Sequence, residues 1–133
     1  MVRKAIYTVL CIFLYSILNA ENRYALTVFI SEYPEESGWN HINSSNDKKI
    51  IIPMLNNLGY KNSNIICLEE ENATYSSIIN AFESLAAKAS RGDKIYVHFS
   101  CHGQQITDLN GDESYVNPKD KYDEALVPYD AYV

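Results

Sequence analysis

Short, almost unbroken apolar runs alternate with longer amphipathic stretches along this chain, and the alternation predicts strand, helix, strand, helix, strand. Residues 23–30 (RYALTVFI) are rich in β-branched and aromatic types and nearly continuously apolar after Arg23. That is the pattern of a central strand covered on both faces. A polar loop from Ser31 to Ser45 follows, and its length suggests a functional rim rather than a simple connection. Ser45 or Asn46 can cap the next helix, with Asp47 in the first turn, where the helix dipole favours a carboxylate. Ile50, Ile51, Met54, Leu55 and Leu58 form its expected packed face and Gly59 its stop, while Pro53 predicts a kink or an irregular first turn.

Residues 64–68 (NIICL) read as a second strand, closed by Glu69, Glu70 and Glu71. Thr74 then caps a helix expected over 75–89, with apolar positions Ile78, Ile79, Phe82, Leu85, Ala86 and Ala89 at spacings of three and four. Ser90-Arg91-Gly92-Asp93 turns the chain into a third strand, 94–100. Crossovers of this length suit parallel pairing, so the fold class is α/β with a mainly parallel sheet. Ile30, Leu68 and Ser100 then end at one edge of the sheet, where such folds place their ligands. From Thr107 to Asp130 the chain is polar and acidic, with Ala125-Leu126-Val127 as its one short apolar patch and no further helix. Three strands and two helices would leave apolar sheet edges open, so these residues read as part of a larger fold, incomplete at the C-terminal side.

The first twenty residues do not fit the alternation. Arg3 and Lys4 precede an apolar run from Ala5 to Leu18, and Ala20 offers a small residue before a cut. This is the pattern of a secretory signal peptide, too short for a bilayer span of about 20 apolar residues, and it implies a secreted or periplasmic protein with no stable membrane span. Residues 21–133 then form one domain, in which nine Lys or Arg stand against seventeen Asp or Glu, a net charge of about −8. No basic patch supports a nucleic-acid partner.

The most informative stretch is Ser100-Cys101-His102-Gly103 at the end of the third strand. His102 puts an imidazole at the open edge, and Gly103 lets the backbone turn away or approach a ligand closely. Neighbouring strand side chains point to opposite faces, so Cys101 and His102 should diverge rather than form a dyad. Cys67 and Cys101 read as buried small residues, and a bridge between them is left open.

Together these pieces resemble the caspase-like cysteine peptidases of the peptidase C14 class, nearer to metacaspases than to animal caspases. The resemblance rests on 25–30 (ALTVFI), 42–47 (INSSND), 68–74 (LEEENAT), 91–94 (RGDK), 100–103 (SCHG) and 122–130 (YDEALVPYD), in that order. It implies a three-layer αβα sandwich, of which 21–133 would be the N-terminal, large-subunit-like part. By this resemblance His102 is the catalytic histidine and Gly103 a backbone donor to the oxyanion. Asp47 matches the carboxylate that pairs with a substrate Arg or Lys, although Ser44 stands where metacaspases often carry a cysteine. Asp123 resembles a ligand of activating calcium, whereas the separate stretch 108–113 (DLNGDE) lacks calcium-loop spacing and reads as a solvated turn. No cofactor is required for the chemistry itself.

In this family the nucleophilic cysteine follows the histidine by about fifty residues. Only 31 residues follow His102, none of them cysteine. The expectation is therefore the front part of an endopeptidase that cuts after Arg or Lys when completed by a segment carrying the thiol, and is inactive alone. The alternative is a non-catalytic caspase-like domain that binds peptides or proteins. A phosphate-binding domain has little support, since Ser31-Glu32-Tyr33-Pro34 follows the first strand in place of a glycine-rich turn.

Overall fold

The computed structural model describes residues 21–112 and 121–132. β1 (Arg23–Phe29) lies between β2 (Ile65–Glu69) and β3 (Lys94–Ser100), and both pairings are parallel. α1 (Ser44–Asn57) and α2 (Tyr75–Lys88) are the two crossovers. Side chains alternate across β1, which separates two cores. Leu26, Val28 and Ile30 pack with Ala81 and Leu85 of α2, whereas Ala25 packs with Leu55 of α1 and with Tyr60. One helix covers each face, giving the expected three-layer αβα arrangement.

Three local expectations change. The packed face of α1 is Ile51, Met54 and Leu55, while Ile50 and Leu58 are at least half exposed. At 100° per residue Ile50 lies roughly 140° around the helix from Leu55, and Leu58 is already past the last turn, before Gly59 at a φ of 86°. The helix also runs through Pro53, which is exposed and lies well past the first turn. Finally, α1 begins at Ser44, its N-cap Asn43 makes no side-chain bond, and the hydroxyl of Ser31 accepts the Ser45 N–H at 2.8 Å instead. A tertiary contact thus replaces the local cap.

α2 follows the expected start: Thr74 Oγ1 accepts the Ser77 N–H at 3.2 Å, and Asp130 accepts the Tyr75 N–H at 2.8 Å. Its buried stripe is turned toward Ala81 and Leu85, while Ile79, Phe82 and Ala86 are exposed. Ile79 and Phe82 join Phe99, Cys101 and Leu126 around an apolar groove of about 160 Å³.

The stretch after His102 holds a structure that its sequence pattern hides. β4 (Gly103–Thr107) and β5 (Tyr122–Leu126) form an antiparallel pair in which Ile106 faces Asp123. Every residue of β4 is exposed, and the less exposed positions of β5 are Asp123 and Ala125, so neither strand carries an apolar period-two signal. On the other side of the sheet, Ile95 and Val97 of edge strand β3 are 48% and 42% exposed, the open apolar edge anticipated above. Among the described residues no helix is long and apolar enough to cross a membrane. The leader-like segment 1–20 lies outside the described residues.

Candidate active site

Parallel register brings Phe29 opposite both Glu69 and Ser100, so the three strands end together. From that edge emerge Ser31 after β1, Glu70 after β2 and His102 after β3. The Ile30 N–H still donates to the Ser100 carbonyl at 2.9 Å, which carries the pairing to the threshold of the site.

His102 is held on several sides. Its ring lies 5.3 Å from that of Tyr33 and 5.2 Å from that of Trp39, centroid to centroid. Nε2 is 2.7 Å from the carbonyl oxygen of Asn40. A carbonyl can only accept, so Nε2 carries the proton, and in the neutral ring Nδ1 keeps its lone pair. This is the arrangement of a base: one nitrogen fixes ring and tautomer, the other can take a proton.

The main chain of His102 is fixed as well. Its N–H donates to the hydroxyl of Tyr33 at 3.1 Å, and that hydroxyl donates to the Val127 carbonyl at 2.9 Å. The Val127 N–H returns to the His102 carbonyl at 2.9 Å. Burial pushes the Tyr33 phenol up to about 12, and the His102 N–H offsets part of that rise. Glu70 anchors the loop that carries Tyr33, its carboxylate accepting from the Ser31 N–H at 3.0 Å and the Glu32 N–H at 2.9 Å. Glu70 does so at a φ of 45°, an unusual value for a residue with a side chain.

The structure brings Asp47 to the same edge. It stands in the first turn of α1 and accepts a hydrogen bond from the hydroxyl of Ser100, two residues before His102. Gly103 opens β4 without a positive φ, and a Cβ there would make ordinary contact, 3.5 Å from the Ala125 carbonyl. Neither a positive φ nor internal crowding requires a glycine at this position.

Cys101 and His102 do diverge. Cys101 lines the apolar groove beside α2, while His102 sits against Tyr33 and Trp39. Cys67 lies in β2, with its sulfur 3.7 Å from Glu69, whose carboxylate pairs with Lys48. Both thiols are free, and burial raises the pKa of each. They are held as thiols, the opposite of what a nucleophile needs.

At the far end of the hairpin, Asp123 of β5 meets Asp108 and Asp112, with one oxygen of each carboxylate within 4.8 Å of the others. The loop 108–112 is the self-bonded turn expected: Asp108 accepts from the Asn110 and Gly111 N–H groups, and Asn110 accepts from that of Asp112. Its carboxylates are nonetheless not separate from Asp123, because β4 and β5 pair. Glu113, the last residue of that stretch, lies outside the described residues.

Tyr33, Trp39, Asn40 and Glu70 are the site residues that sequence reasoning missed. The unusual length of the loop after β1 pointed at three of them collectively, but nothing local marks a carbonyl such as that of Asn40.

The chain is similar to known proteins. The family model described as "Metacaspase, peptidase C14 domain" matches residues 24–132. Metacaspase-1A of Neurospora crassa is 34% identical over 92 residues, which is 64% of this chain and 19% of that protein. Metacaspase-1B of Aspergillus oryzae is 32% identical over 78 residues, 54% of this chain and 17% of that one. The chain thus spans about a fifth of the length of these relatives. A Geobacter sulfurreducens protein of solved structure superposes with a TM-score of 0.66 at 23% identity, covering 84% of this chain and 41% of its own, a likeness of fold.

The position of Tyr33 predicts a titration. Its folded pKa is raised above the ordinary 10, so the folded chain keeps a proton that the unfolded chain gives up. The associated stability is fully present below pH 10 and is lost as pH rises through about 12. Ultraviolet titration should show one tyrosine protonated beyond the rest and absent from Tyr33→Phe; a folded protein whose tyrosines all ionise near 10 would contradict the placement.

Proposed function

This chain belongs to the metacaspase family of peptidase C14 domains, and from that membership we propose that it carries the base-bearing half of a cysteine-type endopeptidase that cuts after Arg or Lys. The observation that carries the reading is the pinned imidazole of His102, whose Nε2 faces the Asn40 carbonyl at 2.7 Å. Nδ1 of that tautomer takes the proton of a thiol, the thiolate attacks the scissile carbonyl carbon, and the imidazolium then protonates the leaving amine. Gly103 offers its N–H to the oxyanion that forms. Asp47, exposed at the same edge, pairs with the substrate's guanidinium or ammonium.

Since Cys67 and Cys101 are held protonated away from His102, the thiol comes from outside the described residues, on a later segment or a second chain. The described residues alone then hydrolyse nothing. A location outside the cytoplasm, secreted or periplasmic, belongs to the same proposal, with the leader-like pattern of 1–20 as its support. A second reading, a non-catalytic domain binding peptides at this edge, is favoured by the same two inert thiols.

Calcium fits as an accessory ion rather than a reagent. Asp108, Asp112 and Asp123 offer hard oxygen ligands close enough together to share one ion. Bound there, calcium would offset two of the three carboxylate charges and fasten loop 108–112 to β5. The peptide chemistry itself falls to His102, Gly103 and the thiol that completes them.

Two measurements follow. Full-length protein should hydrolyse fluorogenic peptides ending in Arg or Lys and spare those ending in Asp, and Asp47→Asn should lower kcat/KM on the Arg peptide at least ~10-fold. Tight binding of the Arg peptide without turnover would instead favour the non-catalytic domain. Calorimetric titration of the chain with calcium should show binding that Asp123→Asn weakens ~10-fold or more; equal heats from both would remove the ion from the account.

A further inference from the structure

Tyr33 takes no part in the chemistry proposed above, yet it touches every element that meets at His102. Its hydroxyl makes two hydrogen bonds, receiving one from the His102 N–H and giving one to the Val127 carbonyl. Its ring lies against His102 and Trp39 and is stacked on Tyr129 at 6.5 Å. With the Val127-to-His102 backbone bond these contacts close a three-cornered loop joining the β1 exit, the β3 exit and the end of β5. The Tyr33 residue is 9% exposed, so its hydroxyl makes these bonds largely out of water.

The loop bearing Tyr33 is itself anchored. The Glu70 carboxylate takes the N–H groups of Ser31 and Glu32, and the Ser31 hydroxyl takes that of Ser45. Trp39 and Asn40, which bound the His102 ring, lie farther along the same loop. A φ of 45° at Glu70 is strained for a residue with a side chain, and charge-assisted bonds to two backbone donors offset that strain.

From this geometry we infer that Tyr33 is a positioning residue for His102: its hydroxyl fixes the histidine main chain to β5, and so holds the imidazole against the Asn40 carbonyl with Nδ1 facing the reaction. The role rests on the reading of His102 as the base. The hydrogen bond itself can be tested without any turnover, which keeps failure of the one distinguishable from failure of the other.

The test is nuclear magnetic resonance of the nitrogen-labelled chain, with His102 assigned through His102→Gln. In the unmodified chain the His102 amide is protected from exchange and the ring is mainly the Nε2–H tautomer. Tyr33→Phe keeps the aromatic ring and deletes the hydroxyl. It should speed exchange of the His102 amide ~10-fold or more and turn the ring into a mixture of tautomers. Tyr60→Phe, in the α1-side core, should change neither. Unchanged His102 exchange and tautomer in a folded Tyr33→Phe would overturn the inference. Should that variant not fold, a His102 amide exchanging at the random-coil rate in the unmodified chain would overturn it equally, and a protected one would uphold it. Loss of peptide hydrolysis in full-length Tyr33→Phe, with kcat falling more than KM rises, would extend the role to catalysis. If His102→Ala retained full hydrolysis, the base assignment would fall while the Tyr33 bond stood.

Discussion

The site depends on one constraint, the burial of β1 between two strands and two helices. From Ala25 to Ile30 this strand has no wet side, with every residue 1% exposed or less. A slip of one residue in its pairing would exchange Leu26, Val28 and Ile30 with Ala25, Thr27 and Phe29 between two cores of different shape. The register is therefore strongly specified, and with it the common ending of β1, β2 and β3. His102, Asp47 and the loop carrying Tyr33 are neighbours because those endings coincide.

What happens beyond the strand ends follows from the cost of dry polar groups. The sheet's own hydrogen bonds stop at Ile30 and Ser100, so the next backbone groups need other partners. Side chains supply them: Glu70 for Ser31 and Glu32, Ser31 for Ser45, and Tyr33 for His102 and Val127. A histidine surrounded by such bonds has little rotational freedom, which suits the base role proposed for it. The two described cysteines show the converse. Burial is the largest influence on both, and burial favours the neutral thiol.

Much of this was legible in the sequence because the relevant patterns are local. The third strand is found at its expected bounds, 94–100, and the second helix within one residue, since an apolar run and a Thr cap are contiguous signals. The divergence of Cys101 and His102 needed only the alternation of a strand. The misses are nonlocal. Ser31 displaces the expected cap of α1 from across the chain, and β4 pairs with β5 over an intervening segment without an apolar period. For the same reason Asp108 and Asp112 could not be seen to join Asp123. Asn40 contributes a carbonyl, which any residue type could have supplied.

The central claim is that His102 is a base set for a thiol outside the described residues. It is tested most directly by alkylating full-length protein with an Arg-directed, thiol-reactive peptide across the pH range. The account predicts labelling at one cysteine other than Cys67 or Cys101, slowed ~100-fold or more in His102→Ala. Equal labelling rates in both forms, or modification of Cys67 or Cys101, would contradict it.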